Sequence, residues 1–364
     1  MRCAGHRLVP VTAPRVRLRP EIESMVPYRQ GRTAAEDAFK LSSNENPYPP
    51  LPAVVDAIRS VDFNRYPDAS SARLRDRIAE RWDVDPQQVI IGPGSVTLLA
   101  YLIWATCTSE DAVLYAWRSF EGYPLVAAAA GVESIQVPLR PDGSHDLVAM
   151  AAAVTPSTRL VLLCSPNNPT GTAIRREEFA AFMAAVPRTV LVVLDEAYAE
   201  FVTDEDAVRG SEELPRHPNL VVLRTFSKAY GLAGLRVGYA IGPEYVVDGL
   251  RAVSLPFGVT EVAQTAALAS LDDEPELLER VDHIVARRER IRAGLLQQGW
   301  AVPEAQGNFV WLPTGARTAE AAAHFEQAGL IVRSLGEGVR ISIGEEESVE
   351  KLLRSSREVV APLS

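Results

Sequence analysis

The feature that most constrains this chain is a series of short, wholly apolar runs separated by longer stretches of helical pattern. From Val89 onward the runs read "VIIG", "AVLY", "RLVLLC", "TVLVVLDEAY", "NLVVLRTFS" and "LRVGYAIG". A strand with one face in water alternates polar and apolar residues; these do not, so both faces are buried beneath covering helices. Helical patterns begin near Ser95 and near Ser119, between the early runs, and this alternation builds a mainly parallel sheet. Open sheets of that kind bind ligands just beyond the carboxyl ends of their strands, where the polar candidates of this chain lie.

After about Pro256 the pattern changes. A charged amphipathic helix is expected over 274–298, then "NFVWLP", a helix over 318–328, "LIVRSL", "GVRISIG" and a last helix from about Glu346. The expected fold is α/β: a large domain (44–259) with a mainly parallel sheet between helices in three layers, and a smaller α+β domain (260–364). An amino-terminal arm (1–43) is expected to join the smaller one, and 364 residues suffice for two such units.

The net charge of -10 argues against general affinity for nucleic acid or an anionic membrane surface, while leaving room for a local basic pocket. Cys3, Cys107 and Cys164 are too few and too scattered for a disulfide framework or a zinc site, so a reducing cytoplasm is the simplest setting. The apolar stretch "LLAYLIWATC" is about half the length a membrane span needs. None of the five histidines has metal-ligand spacing, so no metal is expected.

Lysine is scarce: Lys40, Lys228 and Lys351 stand among 37 basic residues. Arginine stays protonated, whereas a desolvated lysine can lose its proton and condense with a carbonyl, so Lys228 within "LRTFSKAYGLAGLR" is either a candidate nucleophile or a surface lysine that escaped replacement, and the surrounding motifs have to decide. Asp195 and Glu196 close the strand "LVVLDEAYAEF", a pattern shared with nucleoside triphosphatases, but those also need a Gly-x4-Gly-Lys-Ser/Thr loop and this chain has none. "IGPGSVTLLA" is a strand, a glycine turn and a helix start, so the Ser95 and Val96 amides can receive an anion; no dinucleotide fingerprint accompanies it. By itself "CSPNNPTGT" is turn chemistry. The order is informative: an anion loop, Asn-Pro-Thr-Gly, an Asp after a strand, Ser-Lys, then an Arg eight residues on. A ligand with a phosphate, an aldehyde and a ring nitrogen would use each group.

The sequence resembles fold type I pyridoxal-phosphate aminotransferases, in the histidinol-phosphate aminotransferase branch, through "LSSNENPYPP", "NRYPD", "SPNNPTG", "DEAYAEF", "TFSKAYGLAGLRVGY" and "GVRISIG". The phrases "WRSFEGYP" and "VRSLGEGVR" are most similar to its actinobacterial aromatic-amino-acid members. The resemblance implies that Lys228 bonds to the aldehyde of pyridoxal phosphate and then serves as proton-moving base, while Asp195 pairs with the ring nitrogen. It implies that Asn168 and Tyr198 bond the ring oxygen and Phe120 stacks on the ring. The phosphate would lie among the Ser95 and Val96 amides, the Thr225 and Ser227 hydroxyls and Arg236. Tyr66 would reach it from the other subunit of a homodimer. Arg340 would clamp the substrate carboxylate, Tyr28 would cover the substrate, and Arg333 matches a residue that holds substrate phosphate in histidinol-phosphate enzymes.

The implied reaction is transfer from an aromatic amino acid to 2-oxoglutarate by a ping-pong mechanism. A histidinol-phosphate aminotransferase and a phosphothreonine-type decarboxylase on the same scaffold are the alternatives.

Overall fold

In the computed structural model, described here for residues 16–27 and 38–360, the apolar runs become one seven-stranded sheet in the order β2-β8-β7-β6-β5-β3-β4. Its strands are β2 (Val89–Gly92), β3 (Ala112–Trp117), β4 (Glu133–Pro138), β5 (Thr158–Cys164), β6 (Leu191–Asp195), β7 (Leu220–Thr225) and β8 (Gly238–Ile241). Only β8 runs against its neighbours.

The missing polar alternation has the expected cause. Every residue of β6 is buried, and its successive side chains enter different cores. Val192 and Leu194 join Phe179 and Phe182 of the helix Arg176–Ala185 on one side. Leu191 and Val193 join Leu98, Leu99 and Leu102 of the helix Ser95–Thr106 on the other. With a residue period of two, this sorting makes the sheet the middle of three layers.

Four further strands form a second sheet: β1 (Phe39–Leu41), β9 (Phe309–Leu312), β10 (Leu330–Ser334) and β11 (Val339–Ser342), in the order β1-β10-β11-β9. β1 pairs in parallel with β10, so the chain passes through this smaller sheet at 39–41 before it enters the larger one. The first core continues into it through Phe309, Val310, Val339 and Ile341. The carboxyl-terminal helices span Glu274–Gln297, Thr318–Gln327 and Glu347–Val360.

Two elements depart from the expectation. The helix expected from about Ser119 begins at Gly122, leaving 119–121 as a link that carries Phe120 past the sheet edge. β4 escaped the sequence reading because it is an edge strand with exposed Glu133, Gln136 and Pro138 rather than an apolar run. Among the described residues, no helix is long and apolar enough to cross a membrane.

Candidate active site

Adjacent strands deliver their next residues to one place. β2 leads to Ser95, β3 to Phe120, β5 to Asn168, β6 ends on Asp195, and β7 ends on Thr225 and leads to Lys228. Together with Val96, Cys164, Tyr198, Ser227 and Arg236 they line a cavity of about 170 Å³ beyond the carboxyl edge of the sheet. The smaller domain closes it with Arg340 of β11, and the 43–44 segment with Ser43 and Asn44.

Lys228 Nζ donates to the Ser43 carbonyl at 3.1 Å. Burial, then the positive charges of Arg340 and Arg236, bring its amine down to about 7 despite the opposing effect of Glu45. A neutral, nucleophilic amine is therefore within reach at physiological pH. The Asp195 carboxyl is buried, accepting from the Tyr123 hydroxyl at 2.8 Å and the Ala197 amide at 3.3 Å. Burial raises it to about 6 although both bonds favour its ionised form. No Lys, Arg or His among the described residues forms an ion pair with it.

The next residue faces the other way and is fully matched. Glu196 accepts from Arg224 at 2.9 Å and from the Gly210 amide at 2.7 Å, and Arg224 also donates to Glu200 at 2.6 Å. Burial disfavours the Arg224 charge, yet Glu200 and Glu196 more than offset this and hold it protonated. Glu196, which with Asp195 gave the pattern shared with nucleoside triphosphatases, is committed to this network.

Beyond Lys228 the wall is made for an anion. The helix Ser95–Thr106 points its first turn at the cavity, where the Ser95 and Val96 amides have no acceptor within the helix. Gly94 before it has φ 85°, and a β-carbon there would lie 2.5 Å from Arg236 Nη2. Gly238 on β8 is equally constrained: a β-carbon would lie 2.9 Å from the Ser95 nitrogen. Arg236 donates to Ser227 Oγ at 3.4 Å, and Thr225 Oγ1 accepts from the Ser227 amide at 3.1 Å, so the cation and both hydroxyls converge.

Arg340 is buried, donating to Asn168 Oδ1 at 2.6 Å and the Ser42 carbonyl at 2.7 Å. Asn44, absent from the sequence reading as a site residue, joins the two domains: its side chain donates to the Tyr198 hydroxyl at 3.0 Å and its backbone amide to Ser342 Oγ at 2.7 Å. It has φ 52°, a left-handed conformation that asparagine tolerates better than most residues. Its signal lay in "SSNENP", quoted for resemblance, but partners 154 and 298 residues away were not readable there. Tyr123, the support of Asp195, was likewise hidden in "WRSFEGYP".

Two predicted site residues lie outside the cavity lining. Tyr66 is 82% exposed and stacks on Phe257 at 4.6 Å, outside the cavity lining. Arg333 flanks the cavity without lining it, its guanidinium bound to Glu121. Tyr28 lies outside the described residues.

Residues 36–355 match the sequence profile of the family described as "Aminotransferase class I and II". The aromatic amino acid aminotransferase of Streptomyces avermitilis is 51% identical over 344 residues, covering 93% of this chain and 96% of that one. That of Thermobifida fusca is 52% identical over 346 residues, with 93% and 96% covered. Among solved structures, histidinol-phosphate aminotransferase from Sinorhizobium meliloti in complex with pyridoxal-5'-phosphate superposes with a TM-score of 0.85 at 30% identity, covering 96% of this chain and 98% of that one. A match of this extent, over a cavity that joins a buried amine to an anion cradle, makes this chain a member of the class I and II aminotransferases.

Proposed function

We propose that this aminotransferase uses pyridoxal phosphate to move an amino group between a phenylalanine-like aromatic L-amino acid and 2-oxoglutarate. The observation that carries the reading is the combination, in one cavity, of a near-neutral buried amine with a buried carboxylate that forms no ion pair among the described residues. A carboxylate held that way needs a cation from a ligand, and a protonated ring nitrogen supplies one. The anion cradle stands beside Lys228 in the same lining, which suits a ligand that is a phosphate at one end and a ring base at the other.

When bound, pyridoxal phosphate supplies an electrophilic carbonyl and a conjugated ring that accepts the electron pair left as a substrate α-proton departs. Lys228 would attach the group covalently and, once released, take up and return that proton at Nζ. Asp195 would hold the ring nitrogen protonated, with Tyr123 keeping its carboxylate in place. Tyr198 and Asn168 would bond the ring oxygen, and the Asn44 amide already donated to Tyr198 leaves the phenolic proton to point into the cavity. Phe120 would cover the ring face. The Ser95 and Val96 amides, Thr225, Ser227 and Arg236 would receive the phosphate. Arg340 would grip the substrate carboxylate in exchange for its present carbonyl partners.

The names and the identities of the Streptomyces and Thermobifida relatives support the aromatic substrate. We further infer a cytoplasmic homodimer in which the exposed Tyr66 reaches the neighbouring phosphate site, with Tyr28 over the substrate and domain limits at 43 and 259. Histidinol phosphate is the second reading, favoured by the Sinorhizobium likeness and by Arg333.

Steady-state assays with phenylalanine, tyrosine and histidinol phosphate as donors and 2-oxoglutarate as acceptor test the proposal. Phenylpyruvate and glutamate in equal amounts are expected. Histidinol phosphate as the preferred donor would reverse the substrate assignment, and release of carbon dioxide without glutamate would replace transfer by decarboxylation.

A further inference from the structure

Two phrases singled out in the sequence, "WRSFEGYP" and "VRSLGEGVR", come from different domains, yet the fold presses them together beside the cavity. Arg333 on β10 stands directly opposite Arg340 on β11, so both side chains leave the same face of the small sheet. Their fates differ. Arg340 enters the cavity, whereas Arg333 is drawn to Glu121, the residue after cavity-lining Phe120. Its Nε and Nη2 both donate to Glu121 Oε2, at 3.2 and 2.9 Å, with the side chains 13% and 29% exposed. A second pair of opposite sign, Arg118 and Glu337 at 3.7 Å, joins the same two segments.

We propose that Glu121 is a specificity-determining residue, which binds Arg333 and so denies an anionic substrate side chain the second guanidinium of this pair. The inference rests on the aminotransferase reading of the cavity. Its physical content is local charge. A guanidinium with two donors on a carboxylate presents little net charge to a third group, and the carboxylate repels a phosphate or a second carboxylate. An uncharged aromatic side chain meets neither effect. Selectivity here is thus exclusion of the wrong substrate as much as attraction of the right one.

The test uses holoenzyme and two unreactive carboxylates, 3-phenylpropionate and 3-phosphonopropionate, which offer the same carboxylate to Arg340 but differ in the far group. Calorimetric dissociation constants are compared at low and high salt for the wild type, Glu121→Gln, and Glu121→Gln combined with Arg333→Gln. The wild type should favour 3-phenylpropionate. Glu121→Gln should shift the ratio of the two constants about tenfold or more toward the phosphonate, the usual worth of a charged hydrogen bond. High salt should shrink that shift, and the double variant should erase it.

An unchanged ratio in Glu121→Gln, or a shift that survives loss of Arg333, overturns the proposal. Wild-type turnover of phenylalanine with 2-oxoglutarate, measured on the same preparation, separates the two levels. If it is present and the ratio does not move, only the role of Glu121 fails; if it is absent, the functional reading fails first.

Discussion

Asp195 and Glu196 are adjacent, chemically almost alike and both buried at the end of one strand, yet they live in opposite worlds. Glu196 turns away from the cavity to Arg224, and Arg224 satisfies Glu200 as well. Asp195 turns into the cavity with a phenol and an amide for company, and its carboxyl is raised to about 6 by burial. The difference teaches where to look for function. A buried charge already matched by the protein is scaffolding, whereas one left for a ligand to match marks a binding site. Lys228 stands on the unmatched side too, its amine lowered to about 7.

The comparison is broken most severely by removing the amine. Lys228→Ala should lower transamination on the order of 10⁵-fold, as loss of a group that is both attachment point and base does. Borohydride treatment followed by mass spectrometry should find no cofactor fixed at residue 228, while the circular dichroism of the fold is retained. Normal turnover in this variant would end the assignment.

The two acids themselves should then fail in different ways. Asp195→Asn keeps the shape of the carboxyl but not its charge, and should cut kcat on the order of 10²–10³-fold without destabilising the cofactor-free protein. Arg224→Leu strands Glu196 and Glu200 instead, and should cost about 3–5 kcal/mol in urea unfolding while kcat of the protein that remains folded changes little. Equal effects of both variants on kcat would erase the distinction between the faces.

Arg340→Ala should raise KM for the amino acid, corresponding to about 2–4 kcal/mol, far more than it weakens cofactor binding. An unchanged KM would remove Arg340 from substrate capture.

The smallest effect is a pH signature of the unmatched face. The Lys228 amine is lower in the fold than its ordinary 10.5, so its contribution to stability is present above that value and is lost as pH falls toward about 7. The Asp195 carboxyl is higher than its ordinary 3.8, so its contribution is present below 3.8 and is lost as pH rises through about 6. Cofactor-free protein should therefore gain urea resistance on replacing Lys228 by Met at pH 7, with the gain fading toward pH 10.5. A gain that grew with pH would contradict the burial argument.

Much of the fold was legible because it rests on local pattern. The apolar runs became β2, β3 and β5–β8, and the order of polar motifs placed Ser95, Phe120, Asn168, Asp195, Thr225 and Lys228 around one cavity. β4 was not legible, since an edge strand needs no apolar run. Asn44, Tyr123 and Glu121 were invisible as site residues because each matters through a partner in a remote segment: Tyr198, Asp195 and Arg333. Tyr66 shows the converse, a motif residue that a single chain leaves outside the cavity.

What the sequence alone determined is the layered α/β sheet and the inventory of groups at its carboxyl edge, because hydrophobic period and turn chemistry are properties of neighbouring residues. Only the tertiary structure decided which of Asp195 and Glu196 is matched, which of Arg333 and Arg340 enters the cavity, and how far Lys228 is desolvated. Those are matters of distance and dielectric between groups far apart in the chain: the first is settled inside the large domain by Tyr123, Gly210 and Arg224, and the other two only where the smaller domain meets it.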